Sequence, residues 1–112
     1  MSVDEKVRLA DPSGKLDAIV VERGTDATVA SPTQVFIEPK GQVIRPDTKS
    51  EPVLIADHVE KTEVTWVTSG RVRINIKGGR IFRHFAMDKP SGVVIEVFLD
   101  GAQHKPETGP PP

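Results

Sequence analysis

The stretch that decides the fold is RVRINIKGGRIFRHF, residues 71–85 of a chain of 112 residues. In its first half, Val72, Ile74 and Ile76 alternate with polar or charged side chains. A period of two over seven residues is typical of a β-strand with one buried face and one solvated face. The stretch therefore predicts a strand over residues 71–77 whose apolar face lies in the core of a β-protein.

The Gly78-Gly79 pair predicts how the chain leaves this strand. Two successive glycines supply the positive φ angles of a type I′ turn, so we expect a two-residue hairpin loop. In that register Ile76 lies opposite Ile81. Arg83 does not fit, because the same register turns its side chain inward, and this misfit indicates a bulge or a slip nearby.

The solvated face of the predicted hairpin is rich in cations. Like charges opposed across a hairpin are mildly destabilising, so a bound anion would relieve the repulsion expected between Lys77 and Arg80. We therefore expect a ligand-binding face, for which the alternative is an ordinary solvated strand surface. Its candidate residues are Arg71, Arg73, Lys77, Arg80, Phe82 and His84.

Short apolar runs separated by turn signals continue along the rest of the chain. They predict strands over residues 16–22, 28–30, 34–38, 43–44, 53–56, 62–68 and 93–99. In the last of these, Ile95 and Val97 fall on the buried face and Glu96 on the opposite one. No helical period holds over ten residues, and a short helix over residues 57–61 is the strongest alternative element. The pattern predicts an all-β fold, a compact β-sandwich of two related small sheets.

An internal repeat with a shift of 37 residues supports two related sheets. It aligns Thr25, Thr28, Val35, Ile37, Lys40, Gly41 and Ile44 with Thr62, Thr65, Val72, Ile74, Lys77, Gly78 and Ile81. Such self-similarity suggests two β units packed on one another. An internal duplication and the general similarity of β-hairpins are both open as its origin.

The composition and the charge balance exclude some classes of protein. Residues 1–69 hold eight Lys and Arg against twelve Asp and Glu, a net of −4, whereas residues 70–112 hold seven against four, a net of +3. This asymmetry is compatible with an anionic partner for the second half, but by itself it does not indicate one. The absence of Cys excludes disulfides and thiolate sites. No apolar run approaches the roughly 18 residues of a membrane-spanning helix, so we expect no membrane insertion.

No pattern in the sequence indicates an enzyme. The histidines, His58, His84 and His104, are spaced too far apart for an HExxH-type metal motif. His58 and Glu60 would share one face of a strand, but two such groups form only half of a zinc site and no third ligand is evident. Nucleophile-elbow, P-loop and dinucleotide-binding motifs do not occur. We therefore expect a noncatalytic protein without a metal or a cofactor.

Trp66 is the only tryptophan of the chain. We expect its ring to pack against the core, with the indole N–H hydrogen-bonded. The alternative is a platform on which a sugar ring stacks.

The segment RHFAMDKPSGVVIEVFLDGA, residues 83–102, resembles the signature of the AMIN domain family. The matching features are an aromatic residue, a hydrophobic residue, a proline, an apolar run, an acid and a turn of small residues. They fall at Phe85, Met87, Pro90, residues 93–95, Glu96 and Gly101-Ala102. The preceding TEVTWVTSGRVRINI is similar to earlier strands of the family. The resemblance therefore covers residues 62–102 well and residues 16–56 only by pattern.

Two departures from the family pattern lie inside this segment. Ser91-Gly92 stands where an arginine is usual, and Glu96 stands where an aspartate is usual. The resemblance implies a module of two related sheets that binds peptidoglycan in the bacterial periplasm. Such modules occur in type IV pilus secretins and in periplasmic N-acetylmuramoyl-L-alanine amidases, whose zinc ligands lie in a separate domain. A signal peptide would then precede this sequence.

The domain organisation follows from the same resemblance and from the composition of the two ends. We expect a flexible N-terminal tail over residues 1–14, an AMIN-like β-sandwich over residues 15–103, and a Pro-rich linker over residues 104–112. A short strand at the end of the tail is an open alternative. In this view the chain localises a larger protein at the cell wall.

Three classes of function remain open. The first is the wall-binding module, in which cations bind the carboxylates of peptide stems. The second is an assembly module that joins other envelope proteins through an exposed strand edge. The third is a nucleic-acid-binding β-barrel, with Arg73, Lys77 and Arg80 on phosphates and Phe82 stacked on a base. A net charge of −1 argues against the third class, so we expect no nucleic-acid partner.

Overall fold

The computed structural model describes residues 2–24 and 32–106, and this part of the chain folds into nine β-strands without an α-helix. The alternative of a short helix over residues 57–61 is therefore wrong, because β4 ends at Asp57 and β5 begins at Lys61. The strands are β1 Ser2–Ala10, β2 Leu16–Gly24, β3 Thr33–Pro39, β4 Leu54–Asp57, β5 Lys61–Thr68, β6 Arg71–Lys77, β7 Arg80–His84, β8 Val94–Leu99 and β9 Ala102–His104. No helix in the described residues is long and apolar enough to cross a membrane.

The strands form two sheets that pack face to face. The five-stranded sheet has the order β1-β2-β3-β4-β7, and the four-stranded sheet has the order β5-β6-β8-β9. All neighbouring pairs are antiparallel except β6 and β8, which run parallel. The predicted all-β sandwich of two sheets is confirmed.

Alternation along the strands builds the core between the sheets. On β6, Val72, Ile74 and Ile76 are buried while their neighbours face outward, as the sequence predicts. Ile95 and Val97 of β8 are also buried on this inner face. The five-stranded sheet contributes Ala18, Val20, Val35, Ile37, Leu54 and Ala56 to the same cluster. The sandwich is thus held together mainly by burial of aliphatic side chains.

The predicted hairpin between β6 and β7 is wrong. Gly78 and Gly79 do have positive φ angles, 71° and 79°. However, β6 is a central strand whose two edges are already paired with β5 and β8, so it has no free edge for β7. The chain instead crosses at the two glycines to the other sheet, where β7 pairs with β4.

The misfit of Arg83 marks a real irregularity, although β4 is the partner strand. Ile55 lies opposite Arg83, and the next residue of β4, Ala56, lies opposite Ile81, so Phe82 is the extra residue of a β-bulge. The bulge leaves both Phe82 and Arg83 exposed. It thereby removes the cation from the core position that a regular register would give it.

The N-terminal segment is a paired strand rather than a flexible tail. Along its length β1 pairs with β2 and forms one edge of the five-stranded sheet. Arg8 donates a hydrogen bond to Asp17 at 2.6 Å, and the Gly41 N–H donates to the same carboxylate oxygen at 3.0 Å. Burial raises the pKa of Asp17, but these two hydrogen bonds, together with the positive charges of Arg8 and Lys40, outweigh that effect and hold the pKa below its ordinary value.

Other predicted elements are partly matched. Residues 43–44 form no strand, but Ile44 is buried with Ile19, Val21 and Phe36 on the outer face of the five-stranded sheet. The predicted strand over residues 28–30 lies outside the described residues, as does most of the predicted linker. His104, the first residue assigned to that linker, belongs to β9.

The internal repeat aligns β3 with β6, one strand from each sheet. Their sheet neighbours differ in direction, because β3 is antiparallel to both β2 and β4 whereas β6 is antiparallel to β5 but parallel to β8. The two sheets therefore do not share one topology. The first part of the repeat, residues 25–31, lies outside the described residues.

Trp66 joins the two sheets at one side of the sandwich. Its ring packs against the core cluster, and its indole N–H donates a hydrogen bond to the Leu9 carbonyl of β1 at 2.8 Å. The expected role of Trp66 in core packing is confirmed.

Replacing Trp66 with phenylalanine tests this connection. The variant keeps an aromatic ring at the position but removes the donor to Leu9, so we expect the free energy of unfolding to fall by about 0.5–1.5 kcal/mol. Urea denaturation followed by circular dichroism measures the change without relying on the lost tryptophan. An unchanged midpoint would show that this hydrogen bond does not help to hold β1 on β5.

Candidate functional site

The six residues predicted to share one binding face are divided among three places. Arg71, Arg73 and Lys77 lie on the outer face of the four-stranded sheet. Arg80 and Phe82 lie on β7 of the five-stranded sheet. His84 lies in the core, with 1% of its surface exposed. The division follows from the absence of a β6–β7 hairpin, since the two strands belong to different sheets.

The arginines of β6 are held in place by one carboxylate of β8. Glu96 lies directly opposite Arg73 in the parallel pair, and it accepts hydrogen bonds from Arg71 Nη1 and, at 3.1 Å, from Arg73 Nε. The hydrogen bond from Arg71, followed by that from Arg73, lowers the pKa of Glu96 below its ordinary value. The guanidinium of Arg73 also lies 5.7 Å from the centroid of the Phe98 ring. The two arginines are thus oriented, but part of their charge is neutralised.

Lys77 has a different neighbour from the one predicted. It lies opposite Lys61 of β5, whereas Arg80 lies opposite Asp57 of β4. Like charges in this position repel one another across the strand pair, so the argument for a bound anion applies to Lys61 and Lys77. Lys61 is 3.8 Å from Glu63, and no ion pair of Lys77 occurs within the described residues.

An open depression of about 480 Å³ lies beside these two lysines. It is lined by Lys61 and Glu63 of β5 and by Asn75, Ile76 and Lys77 of β6. Asp100 and Gly101 close one end, where Asp100 accepts a hydrogen bond from the Gly78 N–H at 2.9 Å. The depression thus offers two ammonium groups and one amide, beside the carboxylates of Glu63 and Asp100. We call the set Lys61, Arg71, Arg73, Asn75, Lys77 and Phe98 the basic face.

Lys61 and Phe98 are not among the residues that the sequence pattern predicts for the site. A turn at Ser69-Gly70 gives only a partial signal for Lys61, because regular antiparallel pairing from that turn would bring it opposite Gly78. The irregularity between Trp66 and Thr68 shifts the register by one residue and brings Lys61 opposite Lys77. Phe98 has no local signal, since it reaches Asn75 and Arg73 only through the parallel pairing of β8 with β6.

Arg80 and Phe82 form a separate exposed group. The Arg80 guanidinium lies 4.8 Å from the centroid of the Phe82 ring, and its Nε is 3.6 Å from an Asp57 oxygen. Phe82 is 52% exposed. The nucleic-acid hypothesis requires Phe82 beside Arg73 and Lys77, and the structure does not bring these residues together.

His84 connects the two sheets from the inside. Its Nδ1 is 3.1 Å from Nδ1 of His104, and its Nε2 is 3.3 Å from the Ile95 carbonyl oxygen. At the first contact one nitrogen must donate and the other accept, so only one of the two rings carries a hydrogen there. This buried position makes His84 a structural residue of the sandwich, and its predicted place on a solvated face is wrong.

The described residues contain no group of three or more His, Asp or Glu side chains arranged to hold a metal ion. No protein-family model, curated protein or solved structure matches the chain. The features that bear on function are therefore the geometry of the basic face and the resemblance of residues 62–102.

Proposed function

We propose that the chain is a noncatalytic module of the bacterial cell envelope that binds peptidoglycan through the basic face. In this proposal it localises a larger periplasmic protein, such as a pilus secretin or an amidase. The observation that carries the proposal is the opposed pair of Lys61 and Lys77 beside the open depression. A carboxylate of a peptide stem would lie between two cations that otherwise repel each other.

The neighbouring residues support the same class of ligand. Asn75 supplies an amide donor at the wall of the depression. Arg71 and Arg73, held by Glu96, are oriented on the same face. Phe98 adds a ring against which the apolar part of a stem or a sugar can pack. The resemblance to a wall-binding family adds weight to peptidoglycan over other polyanions.

Binding by one copy of the basic face would be weak. Each exposed contact between a cation and a carboxylate contributes only about 0.2–1 kcal/mol. Several copies in an oligomer would raise the overall affinity without any new contact. The proposed module is therefore best suited to a protein that presents it many times, such as a secretin ring.

Reversing Lys61 and Lys77 together to glutamate should remove binding to purified sacculi. The change replaces the opposed cations with opposed carboxylates, while both side chains are exposed and outside the core. Co-sedimentation with sacculi measures the effect, and binding of the unaltered chain should also weaken as salt is added. The melting temperature should change little.

The matched control is the double change Lys15→Glu and Arg45→Glu. Both residues are exposed, both lie outside the four-stranded sheet, and their reversal alters the net charge by the same amount. If the control binds sacculi and the Lys61/Lys77 variant does not, the result supports the basic face as the binding site. Equal loss in both variants would show a nonspecific charge effect, and equal retention would show that the basic face is solvated surface.

A further inference from the structure

A second surface lies on the five-stranded sheet, whereas the basic face lies on the four-stranded sheet. It is found where a neighbouring strand is missing beside β3. β4 pairs with β3 only at Thr33, Gln34 and Val35. The remainder of β3, up to Pro39, has β2 on one side and no strand of the described chain on the other. A cleft of about 980 Å³ lies at this gap.

The main chain of β3 shows which groups face the gap. The Lys40 N–H donates to the Lys15 carbonyl at 3.0 Å, so the even-numbered residues of β3 turn their N–H and C=O groups toward β2. The Val35 carbonyl accepts from the Val53 N–H at 2.8 Å, so the odd-numbered residues turn theirs toward β4. Ile37 is odd-numbered and lies beyond the end of the β3–β4 pairing. Its main-chain donor and acceptor therefore face the gap.

The inner wall of the cleft is apolar. Leu16, Ile37, Val53 and Phe85 contribute to its lining, and Leu16, Ile37 and Val53 also belong to, or pack on, the core cluster. This wall continues the core of the sandwich to the surface. An apolar side chain entering from the gap would extend that core.

The outer wall contains a carboxylate that has no partner in the described part of the chain. Glu38 lines the cleft but is only 7% exposed, and no hydrogen bond or ion pair to its carboxylate occurs among the described residues. Asp17 lies opposite it on β2 and is paired with Arg8 and the Gly41 N–H. Arg8 thus neutralises one of two adjacent buried carboxylates. The Glu38 oxygens are not fully enclosed, since Asp57 Oδ1 is the one fully buried side-chain oxygen or nitrogen without a hydrogen-bond partner among the described residues. A cation from a ligand can therefore reach the Glu38 carboxylate from the cleft.

From these contacts we infer that the cleft binds an extended peptide as an added strand beside β3, with the pattern apolar–basic–apolar. A residue opposite Ile37 would bond to its main chain and point inward to the apolar wall. The next residue, opposite Glu38, would point outward, where a Lys or Arg side chain meets the carboxylate. Because side chains alternate between the two faces of a strand, the site should prefer peptides in which a basic residue stands between two apolar residues. This inference does not depend on the basic face.

The test uses a synthetic peptide, acetyl-Thr-Ile-Val-Lys-Val-Thr-Thr-amide, and the isotope-labelled full chain. Titration by NMR should shift the resonances of residues 37–39 and 85–91, and hydrogen exchange of the Ile37 amide should slow when the peptide is present. A peptide with Glu in place of Lys, and one with both valines N-methylated, should each bind at least about tenfold more weakly. The first control removes the cation and the second removes the main-chain hydrogen bonds.

Glu38→Gln is the corresponding change in the protein. It should weaken binding of the Lys peptide by about tenfold or more, while the free energy of unfolding stays nearly the same because the Glu38 carboxylate makes no hydrogen bond or ion pair within the described residues. Glu51→Gln, which removes an exposed carboxylate from the lining of the same cleft, is the matched control and should bind as the unaltered chain does.

Several results would overturn the inference. Absence of binding at millimolar peptide would do so, as would equal binding of the Lys and Glu peptides or shifts confined to the basic face. The Ile37 amide can also be followed without peptide. If its hydrogen exchange slows as the protein concentration rises, the occupant of the cleft is a second copy of this chain and not a partner peptide.

Discussion

Replacing Ile95 with aspartate is expected to abolish folding. Ile95 is 4% exposed and lies on the inner face of β8, opposite Val72 of the central strand β6. An aspartate there buries a carboxylate among aliphatic side chains, with no cation on that face of the strand pair. The cost is several kcal/mol, comparable with the roughly 5–15 kcal/mol by which a typical domain is stable.

Circular dichroism and thermal unfolding measure this effect directly. The variant should lack a cooperative transition, whereas Glu96→Gln, one residue further along β8, should retain one because Glu96 lies on the outer face. Glu96 does pair with Arg71 and Arg73, so its replacement should cost more than that of an isolated surface acid. If the Ile95→Asp variant melts at the temperature of the unaltered chain, Ile95 does not lie on the buried face of β8.

The local conformation of the chain could be predicted far better than its pairing. The alternation of Val72, Ile74 and Ile76 is a property of seven consecutive residues, and it predicts the buried face of β6 correctly. The positive φ angles of Gly78 and Gly79 are also a local property. The partner of a strand is not local. A competing strand from distant sequence occupies the edge of β6 that a hairpin would have used.

A two-residue hairpin with positive φ angles does occur in this protein, at Asp100-Gly101. Leu99 lies opposite Ala102, and both turn residues have positive φ angles. A glycine pair therefore indicates the backbone conformation but leaves open whether the chain folds back or crosses to another sheet. For residues 78–79 the misfit of Arg83 in the hairpin register is the local sign that the chain does not fold back.

The predicted binding face required a hairpin between β6 and β7. Because the two strands lie in different sheets, the predicted residues are separated. Alternation places Arg71, Arg73 and Lys77 correctly on one face of β6. Their neighbours across the strands, Lys61 and Phe98, come from strands on either side whose register the sequence pattern leaves undetermined.

The N-terminal segment shows a different limit of the sequence pattern. Residues 2–10 are mostly polar or charged, a composition that favours a solvated tail, yet they form an edge strand. An edge strand exposes much of its surface, and charged side chains there discourage association with other chains. Polar composition alone therefore does not separate a tail from an edge strand. The contacts that hold β1 in place are not local, since they include the pairing with β2 and the hydrogen bond from Arg8 to the buried Asp17.

The second large effect is expected at Gly79, where the chain crosses between the sheets. A Cβ atom on this residue would lie 2.3 Å from the Asp57 carbonyl oxygen and 2.8 Å from the His58 carbonyl carbon. Both are main-chain atoms at the end of β4, so they cannot turn away as a side chain can. Gly79 also has a φ of 79°, which is strained for any residue with a Cβ.

Gly79→Ala should therefore lower the free energy of unfolding by roughly 2–5 kcal/mol, the sum of the left-handed backbone strain and the cost of overpacking. Gly92→Ala separates the two contributions. Gly92 has nearly the same φ, 77°, but a Cβ atom added there would meet no other atom within 4 Å. Only the backbone strain of about 1–2 kcal/mol therefore applies at Gly92.

Urea denaturation of the two variants beside the unaltered chain measures both effects. The difference between them is the cost of forcing the end of β4 away from the crossing, and β7 pairs with that same strand. Arg80, the residue after Gly79, lies opposite Asp57, so the displacement should also disturb their ion pair. Equal destabilisation by Gly79→Ala and Gly92→Ala would show that the close approach of residues 57–58 to the glycine crossing does not constrain the fold.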